Sequence, residues 1–173
     1  MAVVKILGID PGLRNLGFGV ICFDEENETT IIENCGVLKV PAKFTGNNAI
    51  LYMKNELMEL FATKIFEDID KVVIEIPRSA FGGKFQSWAL IPVGVVAGLV
   101  MGFFEVDNIV LCNPSEWNKC KKKEKTQQEM ESIFGSVDNW GFVYEPKNQK
   151  HREHIIDAIG MAYWHLKESS VMS

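Results

Sequence analysis

The sequence predicts an α/β protein with a five-stranded mixed sheet and helices on both faces. Three observations lead there. Apolar, strand-like runs at Val3–Asp10, Gly17–Phe23 and Thr29–Val40 follow one another across short polar turns, as in an antiparallel meander. Two later runs, Val72–Ile76 and Asn108–Cys112, alternate with helical patterns, so right-handed crossovers should bring them in as parallel neighbours. Val3–Asp10 is also nearly continuous in apolar character, which suits a strand covered on both faces.

Each element follows from its residues. Val3–Asp10 ends in a carboxylate and is broken by Pro11-Gly12. Gly17–Phe23 is rich in β-branched and aromatic residues, and Asp24–Glu28 is a polar turn. Pro41 stops the third strand. Asn47 and Asn48 are caps for a helix in which Ile50, Leu57, Leu60, Phe61 and Ile65 recur at helical spacing. Val72–Ile76 ends beside Glu75 and is stopped by Pro77. A Gly-containing loop, Arg78–Lys84, leads into an apolar helix over Phe85–Phe104, kinked or restarted at Pro92. Asn113-Pro114-Ser115 opens a short helix after the fifth strand. Thr126–Phe134 reads as a further helix, Ser136–Lys150 as a loop, and Arg152–Lys167 as a final amphipathic helix. We expect one domain over residues 1–173.

Composition narrows the function. Of 173 residues, 47% are hydrophobic and 24% charged, which excludes a disordered chain. The length is too small for a two-lobed kinase or actin-like ATPase. The net charge of −5 argues against a general nucleic-acid coating protein. That average hides an asymmetry. Residues 113–152 carry eight basic and six acidic side chains, against nine and fourteen in residues 1–112. The four cysteines include no C-x-x-C pair, so reduced thiols are expected rather than disulfides or zinc. The start shows no secretory pattern, and Ala89–Phe104 is too short for a membrane span of ~20 residues. It reads as a fully buried helix of a cytoplasmic protein with no membrane partner.

Three acids stand out: Asp10 at the end of the first strand, Glu75 near the end of the fourth, and Asp157 inside the last helix. Singly, each has an ordinary reading as turn, surface or solvated residue. Asp157 is the least ordinary, set among Ile155, Ile156, Ala158, Ile159, Met161 and Ala162. Carboxylates gathered beside buried strands repel, and a hard divalent cation relieves them. His154 lies three residues before Asp157 on the same helix face, where it can ligate a metal or position or protonate an oxygen. Glu153 and His151 are nearby on that helix, and Ala158 and Gly160 are small enough to let it approach the sheet.

Cations supply a second pattern. Lys119, Lys121, Lys122, Lys123 and Lys125 fall within seven residues. Read alone they are a solvated charge run. Beside a carboxylate site they read as a phosphate clamp. Arg78, Phe81, Lys84, Phe85 and Trp88 combine cations with aromatics, as on a surface that stacks against exposed bases. Packing of those aromatics on the following helix is the other reading.

With these residues in view, the chain resembles the RuvC family of Holliday junction resolvases, within the ribonuclease-H-like (retroviral-integrase-like) superfamily, from Val4 to His165. The stretch I-L-G-I-D-P-G-L-R-N-L-G-F-G-V looks like the family's opening hairpin with its first catalytic Asp, here Asp10. V-V-I-E-I-P looks like the strand bearing its Glu, here Glu75, and H-I-I-D-A-I-G-M-A like the closing motif, with Asp157 and, three residues earlier, His154. E-K-T-Q resembles the basic segment before the penultimate helix, which matches Lys125 to a lysine that contacts DNA or assists catalysis. Lys119 is a weaker match to a second one. The family commonly places an aromatic three residues after the Glu; here that position is Arg78, with Phe81 three further on. Departures of this kind resemble a diverged phage or viral-type member.

The resemblance implies a ribonuclease-H-like fold and a homodimer that cuts four-way DNA junctions by phosphodiester hydrolysis. It implies 5′-phosphate and 3′-hydroxyl ends, and no nucleotide cofactor. Asp10, Glu75, His154 and Asp157 would hold two Mg²⁺ ions, with Mn²⁺ substituting. The alternatives are a ribonuclease-H-like nuclease on flaps or RNA–DNA hybrids, and a non-catalytic nucleotide- or DNA-binding module of the actin-like superfamily.

Overall fold

The computed structural model describes residues 3–76, 90–119 and 122–169. Its centre is a six-stranded sheet in the order β5-β4-β1-β2-β3-β6. β1 (Val3–Asp10), β2 (Asn15–Asp24) and β3 (Thr29–Lys39) form the expected antiparallel meander. β4 (Lys71–Glu75) joins β1 in parallel, and β5 (Ile109–Cys112) joins β4 in parallel. The helices are α1 (Gly46–Phe61), α2 (Leu90–Met101), α3 (Pro114–Trp117), α4 (Lys123–Phe134) and α5 (Gln149–Glu168).

Side-chain alternation along the strands divides the interior into two cores. Leu7, Ile9, Leu16, Phe18, Val20, Val72 and Ile74 pack under α1 and α2, against Met53, Leu57, Leu60, Val96 and Val100. Ile6, Ile21, Phe23 and Val73 pack under α5, against Ile155, Ile156, Ile159 and Ala162. The same alternation places Asp10 two residues beyond Gly8 and Glu75 two beyond Val73, on the α5 face. Because Ile9 pairs with Ile74, the two acids leave the sheet side by side.

α5 then comes down unusually close. A Cβ at Gly8 would lie 1.8 Å from the Ala158 carbonyl oxygen, and one at Gly17 would lie 2.2 Å from that of His154. The intimate surface is therefore on the strands. Gly160, expected to serve that approach from the helix side, instead makes room for the ring of Trp117.

Four differences from the sequence reading have local causes. A sixth strand, β6 (Phe142–Tyr144), pairs in parallel with β3 inside the segment read as loop. Three residues are too few to show a period. α2 is not fully buried: Val96, Ala97 and Val100 are, but Ile91 is 54% and Val95 38% exposed. A uniformly apolar helix carries no mark of which side faces the sheet. The N-cap of α1 is Thr45, without a side-chain cap bond, and Asn47 and Asn48 fall inside the first turn. α4 begins at Lys123 and α5 at Gln149, each three residues earlier than expected. Among the described residues no helix is long and apolar enough to cross a membrane. Cys22, Cys35 and Cys112 are free and buried, and burial pushes their thiols up to about 12. Cys120, like residues 77–89, lies outside the described residues.

The glycine contacts yield a first prediction. Gly8→Ala and Gly17→Ala force helix backbone away from sheet backbone, and each should cost about 1–3 kcal/mol. Urea denaturation measures this, and wild-type stability in both variants would contradict it.

Candidate active site

The carboxyl ends of β1 and β4 and the middle of α5 bring Asp10, Glu75, His154 and Asp157 into one partly buried cluster. His154 Nδ1 and Asp10 Oδ2 are 2.5 Å apart. The Trp117 indole N–H donates to Glu75 Oε2 at 2.8 Å. Lys123 Nζ donates to Glu153 Oε2 at 3.0 Å and lies 3.7 Å from Asp157 Oδ2. The three acids thus each have a different partner, and the charge of Asp10 reaches both Glu75 and Asp157.

That mutual charge is visible in their protonation. Burial first, then repulsion from Asp10, pushes Glu75 up to about 7, although the Trp117 hydrogen bond, Lys123 and His154 all pull the other way. Burial and Asp10 likewise push Asp157 up to about 7, with Glu75 adding to the effect and Lys123 and His154 opposing it. Lys123 is partly desolvated, which would favour loss of its proton. Its hydrogen bond to Glu153 and the charges of Asp157, Glu153 and Asp10 outweigh this, and its pKa is raised. The cluster is a site of excess negative potential that one lysine only partly offsets.

The donor set fits a hard divalent cation: three carboxylates that crowd one another in a poorly solvated place, with an imidazole beside them. As the side chains lie, however, no three His, Cys, Asp or Glu residues among those described form a metal-binding cluster. The reason is in the hydrogen bonds, because His154, Trp117 and Lys123 each draw one acid toward a protein partner.

The structure separates residues that share a helix in sequence. His154 meets Asp10, whereas His151 is buried and its Nδ1 accepts the Lys147 backbone N–H at 3.3 Å. Glu153 binds Lys123. Lys125, expected beside the acids, is exposed on α4, and the lysine that reaches them is Lys123, two positions earlier. The helix starts at Lys123, and two residues turn a side chain roughly 200° around the axis. Lys119 and Lys122 are exposed beside the site's rim, at the chain segment between α3 and α4. Arg78, Phe81, Lys84 and Lys121 lie outside the described residues. Trp117 is the site residue that sequence reasoning missed, since its partner is 42 residues away along the chain.

A ribonuclease-H-like sheet with acids converging at its carboxyl edge is the class that fold and site define. No family model matches the chain. Its sequence is similar to the crossover junction endodeoxyribonuclease RuvC of Prochlorococcus marinus. With strain MIT 9301 it is 34% identical over 102 residues, covering 57% of this chain and 56% of that protein. With strain AS9601 it is 36% identical over 70 residues, covering 40% and 36%. The matched stretch thus spans about half the length of the first relative and about a third of the second. The fold is that of RuvC from Thermus thermophilus, solved with a Holliday junction substrate: TM-score 0.69 at 19% identity, covering 97% of this chain and 98% of that one. It is also that of the yeast mitochondrial Holliday junction resolvase Ydc2, with TM-score 0.62 at 15% identity, covering 98% and 80%. RuvC, which the motifs resembled, is thus what this chain is similar to in both sequence and fold.

A pH prediction follows. An unfolded carboxylate titrates near ~4. Between there and about 7, native Glu75 and Asp157 hold protons that the unfolded chain has released. Their contribution to stability is therefore present at low pH and lost as pH rises through 7. In metal-free buffer, Asp157→Asn should stabilise the protein at pH 7.5 by the order of 1 kcal/mol or more and do little at pH 4, since the penalty builds up between ~4 and about 7. Thermal melts at the two pH values test this, and equal shifts at both would contradict it.

Proposed function

We propose that this chain is a RuvC-type Holliday junction resolvase, a metal-dependent endodeoxyribonuclease acting as a homodimer on four-way DNA. The observation that carries the reading is the convergence of Asp10, Glu75, His154 and Asp157 beneath α5. A fold shared with RuvC supports it. In this reading residues 1–173 form one nuclease domain that works in the cytoplasm, on the cell's own or an invading DNA.

Asp10, Glu75, Asp157 and His154 would hold Mg²⁺, two ions per site, with Mn²⁺ substituting. The ions supply an activated water and a counter-charge for the leaving oxygen, so that hydrolysis leaves 5′-phosphate and 3′-hydroxyl ends. The protein's own part is positional. His154 fixes the Asp10 carboxylate through Nδ1. Asp157 is held by a 20-residue helix seated on the sheet through Gly8 and Gly17, so it moves little relative to Asp10. Lys123 pairs with Glu153 and partly offsets the charge of Asp157. It is also the cation best placed to meet an incoming phosphate and exchange one negative partner for another. Lys119, Lys121, Lys122 and Lys125, the other lysines of the cluster, would add phosphate contacts along a DNA strand. Arg78, Phe81 and Lys84, which follow Glu75 in the chain, would meet the bases at the junction centre. The exposed apolar side of α2 suits burial against a second copy.

Synthetic four-way junctions, assayed on gels with and without Mg²⁺, test the reading. Paired symmetric nicks with Mg²⁺ are expected. Asp10→Asn and Glu75→Gln should lower cleavage by at least ~10³-fold, an oxyanion-scale loss or greater, while junction binding persists. Cleavage confined to flaps or RNA–DNA hybrids would overturn the substrate, and full activity of Asp10→Asn would overturn the metal site. A further expectation concerns salt. Replacing Lys121, Lys122 and Lys123 with Ala should weaken junction binding and flatten its salt dependence, by up to about 0.9 in log–log slope for each phosphate no longer neutralised. An unaltered slope would clear these lysines of any role in holding DNA.

A further inference from the structure

Trp117 is placed by more devices than a core tryptophan needs. β5 ends at Cys112, and the Cys112 carbonyl accepts the Ile76 N–H at 2.8 Å, so the ends of β4 and β5 are tied together beside Glu75. The chain then turns at once into α3. Asn113 Oδ1 accepts from the Ser115 N–H at 3.1 Å and from its hydroxyl at 2.5 Å, while Glu116 Oε2 accepts the Asn113 N–H at 2.7 Å. This closed capping box gives a four-residue helix a defined direction, and its last residue is Trp117.

The indole is 8% exposed, and its N–H donates to Glu75 Oε2 at 2.8 Å. On α5, a Cβ at Gly160 would lie 2.9 Å from Trp117 Cζ3. Gly160 is three residues from Asp157, so the ring is wedged between Glu75 and the helix that carries the other acid. The indole also lines a cavity of about 180 Å³ shared with Thr126, Met130 and Tyr163. Packing alone therefore does not hold the ring on that side. The hydrogen bond and the Gly160 contact set its orientation.

The choice of donor is informative. An indole N–H donates and does nothing else: it cannot accept, carries no charge and does not titrate. A lysine or arginine in its place would orient Glu75 equally well but would cancel the charge a cation needs. A serine or water could turn and accept instead. We infer that Trp117 is a positioning residue for Glu75: it fixes Oε2 by a neutral hydrogen bond and so leaves Oε1 to a divalent cation. This rests on the metal-dependent reading given above.

The test measures metal binding without turnover. Free Mn²⁺, followed by its electron paramagnetic resonance signal, gives the affinity of the full-length protein directly. Trp117→Phe keeps the bulk and removes the N–H. Its Mn²⁺ affinity should fall about 10-fold or more, the usual effect of losing a partner that orients a ligand. Junction affinity in the absence of metal should match the parent, and cleavage should recover toward the parental kcat at high Mn²⁺, with a raised requirement for the ion. Gly160→Ala keeps the N–H but crowds the ring, and should weaken Mn²⁺ in the same direction; it also serves if Trp117→Phe does not fold. Mn²⁺ affinity within twofold of the parent in the folded variants overturns the inference. A parent that binds no Mn²⁺ overturns both this and the metal site. A parent that binds Mn²⁺, and loses affinity in Trp117→Phe, but cuts no junction refutes the substrate alone and supports the role of Trp117.

Discussion

Everything at the site depends on a repulsion that the fold refuses to relax. Three carboxyl groups would separate if the chain let them. Two are fixed on adjacent parallel strands by alternation and register, and the third rides on a helix pressed against the same strands. Gly8 and Gly17 are what make that pressure sterically tolerable. Electrostatic strain of this kind is offset by the two hydrophobic cores on either side of the sheet. The chemistry is concentrated where stability is locally given up.

Each acid is met by a protein group of a different kind. His154 engages Asp10, Trp117 engages Glu75, and Lys123 engages Asp157. A flexible, half-exposed lysine is the natural one to give way, since its side chain can follow another anion at little cost. The indole and imidazole are partly buried ring groups, each held to its acid by one hydrogen bond. The cluster therefore has one movable counter-charge and two more constrained orienting groups.

Much of this was legible in the residues. The meander, the parallel strands and the acids at strand ends follow from apolar runs that stop at carboxylates. Asp157 was conspicuous because an acid in an apolar stretch of helix needs a partner. What escaped detection has physical reasons. β6 is three residues long, shorter than any periodic signal. Lys123 and Lys125 are indistinguishable by composition, and only the starting residue of α4 decides which one turns inward. α2 is apolar on every side, so nothing in it says which side is covered. Trp117 drew no notice, because its role depends on a contact between two elements that only the folded sheet brings together.

The borders of the sheet carry a consequence for how this protein associates. One outer strand is β5, with four residues, and the other is β6, with three, joined to its neighbour across a register irregularity. Neither offers a long row of open amide and carbonyl groups on which a stranger's backbone could lengthen the ladder. Among the described residues, then, the sheet offers copies of this molecule little backbone on which to zipper into ribbons.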